Sequence, residues 1–225
     1  MSLILAAHNG VDIVIGWDSR SASTRADNMS ANRPREACKV IRLNRQLALM
    51  ITGHYSTDSM AAIEKFAART GKVLTLNRAF DDLMSMGSGL QLAAWETFKV
   101  GLAGYSRGKP TFRFVCRTPN DPEIDSVRDY PLTYYLSGAK KVVHRAEKLV
   151  AEAGLVEVWP TPEIQTRVRH TLSRCLKENP DWHYSQFTTL SRHTSRLVAS
   201  TALYFLYERA WGGISWGRRS ARRGR

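Results

Sequence analysis

The sequence predicts an α+β protein made of two antiparallel sheets with helices outside each. Three observations predict it. Short apolar runs, paired around Asn9-Gly10 and around Asn44-Arg45-Gln46, fill the first fifty or so residues. Helical apolar spacing takes over after Gly53 and again after Ala139. Strand character returns between the two, over residues 100–138. Stacking two sheets and covering their outer faces with helices is the layering that buries all of these apolar faces together.

Taken in order, LILAA (3–7) and VDIVIGW (11–17) form the first hairpin, separated by His8, Asn9 and Gly10. Residues 18–37 are rich in Ser, Asn and Arg and read as a loop. KVIRL (39–43) and LALMIT (47–52) form the second hairpin, closed by Gly53. Ser56 or Thr57 caps a helix whose inward positions are Met60, Ile63, Phe66 and Ala67, ending at Gly71. A second helix is expected over 77–99, with Phe80, Leu83, Met84, Leu90, Ala94, Trp95 and Phe98 inward and Gly87-Ser88-Gly89 interrupting it. VGLAGY (100–105) and TFRFVCRT (111–118) are strands joined by a turn over Arg107–Pro110. Residues 119–131 carry three prolines and read as a polar loop, and LTYYLSG (132–138) is another strand. The remainder reads as helical. Val142, Val143, Ala146, Leu149 and Val150 make one stripe, Ile164, Val168, Leu172 and Leu176 a second, and residues 190–210 a third. An unusually helical C-terminal third is therefore expected.

The chain has 225 residues, enough for a single domain over 1–217, followed by a basic tail, 218–225, expected to be disordered. Thirty-three basic residues face 20 acidic ones, a net charge of +13. Five arginines lie in the tail, so the body without them still carries +8. The tail reads as a solvated end, or else as an electrostatic contact for nucleic acid, an acidic partner or a membrane surface. Three widely spaced cysteines, Cys38, Cys116 and Cys175, form neither a disulfide framework nor a zinc pattern. No metal ligand set or cofactor motif is evident. No apolar run reaches the length of about 18 residues needed to span a bilayer. The N-terminus lacks the features of a signal peptide, so a cytoplasmic location is expected.

With Asp18-Ser19-Arg20, Lys39-Val40-Ile41 and Gly53 laid in order behind Ser2, the pattern resembles a proteasome-type β subunit of the N-terminal nucleophile hydrolases. The bacterial members are the heat-shock-locus peptidase, the ancestral beta subunit and the betaproteobacterial proteasome homologue. Ser2 and Asp18 keep the family's sixteen-residue separation, and Lys39 and Gly53 its fourteen. GLAGYSRGKPTFRF resembles the family's next hairpin, and Leu136-Ser137-Gly138 its Gly-Ser-Gly segment with leucine in first place. The resemblance covers about residues 2–140 and fades afterwards. The family's late aspartate and serine find no matching motif, although Asp181 and Ser185 lie in the right region.

This resemblance implies a four-layer αββα sandwich and an N-terminal nucleophile exposed by removal of Met1. In such a hydrolase the Ser2 hydroxyl attacks a peptide carbonyl and the freed α-amine takes its proton. Asp18 pairs with Lys39, whose charge favours the alkoxide and lowers the amine pKa. The Gly53 amide donates to the oxyanion, Ser137 orients the amine and Arg20 braces the loop. Ala22, Ile51 and Tyr55 line the substrate cleft, where a peptide adds as a strand. The implied setting is a homo-oligomeric ring acting on peptides or unfolded protein, with an ATPase unfoldase as candidate partner. Competing readings are a silent shell that kept the fold, a non-proteolytic amidase, and a basic nucleic-acid-binding module. The last lacks a helix-turn-helix, a stacking platform and a zinc site.

Overall fold

Asn9 and Gly10 turn the chain between the first two strands of the computed structural model, with Gly10 at φ +86°, where glycine alone is unstrained. The structure describes residues 3–18, 39–70, 75–128, 132–138, 140–155, 157, 159–177, 184–191, 204–209 and 213–218. Its elements are β1 (Leu3–His8), β2 (Asp12–Asp18), β3 (Val40–Asn44), β4 (Leu47–His54), α1 (Thr57–Thr70), α2 (Leu76–Gly89), β5 (Thr97–Ser106), β6 (Lys109–Thr118), β7 (Asp121–Val127), β8 (Tyr134–Gly138), α3 (Lys140–Glu152), α4 (Thr161–Lys177), β9 (Tyr184–Ser191), β10 (Tyr204–Arg209) and β11 (Gly213–Arg218). One sheet runs β11-β10-β9-β2-β1-β8 and the other β3-β4-β5-β6-β7, with antiparallel pairing throughout. The molecule is thus α+β, with two antiparallel sheets and four helices among the described residues.

Three buried clusters show how these elements stack. Leu3, Leu5, Ala7 and Val14 pack against Val142, Ala146 and Leu149 of α3 and Ile164, Val168 and Leu172 of α4. Ile4, Ala6, Ile13, Ile15 and Trp17 meet Val40, Ala48, Met50, Ala103 and Phe112 of the other sheet. Leu47, Leu49, Ile51, Phe98 and Val100 meet Ile63 and Phe66 of α1 and Phe80 and Leu83 of α2. Strands β1, β2 and β4 are apolar at nearly every position because both of their faces are covered. Successive side chains go alternately to the inter-sheet layer and to a helix layer.

Five sequence expectations are corrected. The helix expected over 77–99 stops at Gly89, and β5 begins at Thr97. Arg117 donates to the carbonyls of Gly87, Ser88 and Leu90 at 2.8, 3.1 and 2.7 Å, satisfying the last turn of α2 from a neighbouring strand. The loop expected over 119–131 contains β7, an edge strand that tolerates Pro122 because an edge leaves one row of amides outside the ladder. Strands β5 and β6 are longer than expected and meet at a tight turn, with Arg107 and Gly108 both at positive φ, 49° and 80°. The helix expected over 190–210 is not formed in the described residues of that span, which belong to strands β9 and β10, and the described residues of the C-terminal third mix helix and strand. Strand β10 pairs with β11, Tyr204↔Arg218 to Arg209↔Gly213, and with β9, which in turn pairs with β2 from Asp12↔Ser191 to Asp18↔Ser185, and these ladders outweigh the local helical spacing. The expected tail starts one residue inside β11, and residues 219–225 lie outside the described part.

Phe112 is fully buried between the sheets, with ring centroids 5.4 Å from His8 and 6.1 Å from Tyr135. Phe112→Ala is expected to lower the unfolding free energy by about 3–5 kcal/mol, read as a fall in the denaturant midpoint.

Candidate active site

The chain brings the start of β1, the end of β2, the start of β3, the end of β4 and the end of β8 to one end of the two sheets. Leu3 stands opposite Gly138 and Ile4 opposite both Trp17 and Ser137. The β3–β4 hairpin is tied at this end by the Ile51 amide donating to the Lys39 carbonyl, 2.7 Å.

Asp18 and Lys39 meet here. Lys39 Nζ donates to Asp18 Oδ2 at 2.5 Å, and the side chains are 5% and 1% exposed. The second oxygen, Oδ1, accepts from the Leu3 amide at 2.5 Å. Asp18 therefore takes over where the β1–β2 ladder runs out, and it binds the start of the first strand and the lysine of the other sheet at once. Removing either partner of such a buried pair leaves an uncompensated charge.

Beside the ion pair, Thr52 Oγ1 and Ser137 Oγ are 2.5 Å apart and joined by a hydrogen bond across the two sheets. Both residues are buried, 3% and 1% exposed. Gly53 follows, at φ +135° and exposed to solvent. A Cβ there would collide with the Thr97 carbonyl oxygen, so both the backbone angle and the neighbouring strand demand glycine. Ile51 packs into the core against α1 and α2. The Tyr55 hydroxyl accepts from the Lys99 amide at 3.0 Å and lies 2.9 and 2.7 Å from the carbonyls of Thr52 and Lys99. Burial pushes the Tyr55 phenol far above its usual value, against the opposing effect of the Lys99 backbone hydrogen bond. Tyr55 thus pins the end of β4 to β5 rather than offering a base.

Of the residues singled out in the sequence, Asp18, Lys39, Gly53 and Ser137 lie together at this end, with Ile51 and Tyr55 behind Gly53. Ser2, Arg20, Ala22 and Asp181 lie outside the described residues. Ser185 is the register partner of Asp18 on β9.

Two members escaped the sequence reading. Thr52 was legible in principle, as a hydroxyl at the inward parity of Ala48 and Met50. Glu96 was not. It is 2% exposed, and it accepts from the Ser56 amide at 2.6 Å and the Ala93 amide at 2.7 Å. Ser56 in turn accepts from the Ser59 amide at 3.2 Å, which makes Ser56 the N-cap of α1. Glu96 so fixes the segment that leads out of Gly53, from a position forty residues away in sequence. Burial alone would raise its pKa. The amides of Ala93 and Ser56 and the hydroxyls of Ser59 and Ser56 outweigh that and hold it at about 2.

Among the described residues, no group of three or more His, Cys, Asp or Glu side chains could hold a metal ion. No helix among them is long and apolar enough to cross a membrane. Compared with protein-family models and with curated proteins, the chain matches none of either.

Two outcomes follow from this geometry. Asp18→Asn leaves the Lys39 ammonium buried without its counter-ion, and unfolding free energy is expected to fall by about 3–5 kcal/mol in urea titrations. Glu96 has a folded pKa below its ordinary 4.5, so its stabilisation is complete above that value and is lost as pH falls toward 2. Glu96→Gln is expected to be less stable at neutral pH and to lose part of the acid slope between pH 4.5 and 2, measured by melting temperature against pH.

Proposed function

We propose that this chain is a peptidase of the N-terminal nucleophile class, of the proteasome β-subunit kind, with Ser2 as nucleophile and an αββα sandwich as its scaffold. One observation carries the reading. A buried carboxylate, Asp18, holds the amide of residue 3 with one oxygen and a buried lysine with the other. Residue 2 is one peptide bond from that amide nitrogen. The chemistry of an N-terminal serine needs a fixed cation beside the start of the first strand, and this contact supports one there.

In this mechanism, removal of whatever precedes Ser2, Met1 in the sequence above, exposes the α-amine. The Ser2 hydroxyl attacks the scissile carbonyl carbon and its proton passes to the amine, directly or through one water. The Lys39 charge favours the alkoxide and keeps the amine weakly basic, so that it works as a base near neutral pH. The tetrahedral oxyanion is held by the Gly53 amide, a contribution of about 3 kcal/mol in comparable sites. Collapse breaks the peptide C–N bond, the amine returns its proton to the leaving nitrogen, and water then hydrolyses the Ser2 ester. Ala22 borders the peptide in this reading, whereas Ile51 and Tyr55, expected to line the cleft, pack behind Gly53 and support its position. Serine keeps the attacking oxygen of the family's usual threonine but lacks the methyl that restricts its rotamer, which favours slower turnover. The same resemblance extends the proposal to a homo-oligomeric ring that admits unfolded protein.

A peptide epoxyketone closes a ring on the hydroxyl and α-amine of one residue, so it reads both groups together. Intact-mass and peptide mass spectrometry are expected to show loss of Met1 and one adduct, on Ser2. Lys39→Met is expected to slow adduct formation by about a hundredfold or more, judged on protein that still shows a cooperative melt. Retained Met1 and no adduct under any condition would overturn the reading.

A further inference from the structure

The second sheet is closed, at the end away from Gly53, by two hairpin turns. β3 turns into β4 over 44–47 and β5 into β6 over 106–109, and β4 and β5 are neighbours, with Leu47 opposite Gly104. Two strand spacings of about 4.8 Å put the turns roughly 10 Å apart. The start of α2 joins them, since a Cβ on Gly104 would meet the Gln46 carbonyl oxygen at 3.0 Å and a Leu76 methyl at 3.4 Å. Residues 42–46, 75–79 and 106–109 carry Arg42, Arg45, Arg78, Arg107 and Lys109 and no acidic residue. Arg42 is half-buried and the other four are exposed. Among the described residues, none of the five enters an ion pair. We infer that these five cations form a binding surface for the phosphate backbone of a nucleic acid, held without regard to base sequence. The inference stands apart from the peptidase reading, because the surface lies at the opposite end of β4 from Gly53.

Two features set the patch apart from an ordinary solvated end. Arg42 donates to the carbonyls of Asn44 and Arg45 at 3.2 and 3.3 Å, which fixes its guanidinium under the first turn. Burial and the Arg45 charge both lower its pKa. The fold thus holds two like charges together with no acidic residue in the turn, a repulsion that a bound anion relieves. In the second turn Arg107 stands at φ +49°, ahead of Gly108 at +80°. Asn, Asp or Gly is the favoured residue there, so the turn accepts backbone strain and presents a cation. The make-up of the patch selects phosphate over an acidic protein. Arginine predominates, and its planar fork pairs with two phosphate oxygens at once. The exposed large apolar side chains Val11, Trp95 and Leu132 all lie outside the three segments. The patch therefore lacks the aromatic or apolar anchor around which protein interfaces are built. The chain's net charge of +13 adds the long-range field that draws in a polyanion.

The test follows binding of the full chain to a fluorescein-labelled DNA duplex of about 20 base pairs by fluorescence anisotropy, over a series of KCl concentrations. The triple variant Arg45→Gln, Arg107→Asn, Lys109→Gln is expected to weaken binding by about tenfold or more at about 100 mM KCl. It is also expected to make the slope of log affinity against log salt shallower by about 2–3. Arg107→Asn alone suits the turn, so it is expected to keep the melting temperature and still make the slope shallower by about one. A control triple, Lys65→Gln, Lys140→Gln, Lys148→Gln, removes the same charge from exposed helix positions and is expected to change the affinity by less than about threefold. The arginines of 218–225 are the same in every variant, so their contribution cancels in the comparison. Equal losses in the two triples, or no binding by the wild type at about 50 mM KCl, overturn the inference. A poly-glutamate peptide of matched charge that binds as tightly, with the same dependence on the patch, also overturns it and assigns the surface to an acidic protein. Epoxyketone labelling decides the peptidase reading alone, since DNA binding at the far end of the sheet needs no turnover.

Discussion

The arrangement at the site end depends on one carboxylate. Asp18 is completely buried and divides its two oxygens between a backbone amide of β1 and the ammonium of Lys39 at the mouth of β3. Burying both charges costs several kcal/mol per ion before pairing returns it, so the contact gives weak net stability. What it gives is position. β1 and β2 belong to one sheet and β3 to the other, so a single side chain sets the spacing of the two sheets at this end.

The inter-sheet layer changes character along its length. Toward the β1–β2 turn it is aromatic, with Phe112 between His8 and Tyr135 and the Tyr105 hydroxyl lying 2.7 and 3.0 Å from the carbonyls of Val11 and Leu190. Toward the start of β1 it becomes polar, with the Asp18–Lys39 pair and the Thr52–Ser137 pair. The apolar end supplies stability through area removed from water. The polar end spends part of it on groups that hydrophobic burial cannot orient.

Much of the fold was legible because the signals were local. Asn9-Gly10, the all-apolar runs of β1, β2 and β4, and the stripes of α3 and α4 each follow from a few neighbouring residues. The misreadings had non-local causes. The end of α2 depends on Arg117, which reaches its last carbonyls from a strand that comes later in the chain. β7 is a strand only because β6 offers it an edge, and β9 only because β2 does. The site divides in the same way. Asp18, Lys39, Gly53 and Ser137 were singled out through the family resemblance and come together in the fold, whereas Glu96 gave no local sign of its role, since its partner Ser56 is defined only by the fold.

The sequence alone determined how the hairpins form and which residues were candidates for chemistry, because turn chemistry, strand alternation and residue spacing act over a few positions. Tertiary structure decided which of those residues touch. The pairing of one Asp18 oxygen with the Leu3 amide, the Thr52–Ser137 bond between residues 85 apart and the late strands at the edge of the first sheet all join distant segments. Such contacts exist only once burial has removed water from between them, and no local pattern in the chain encodes that.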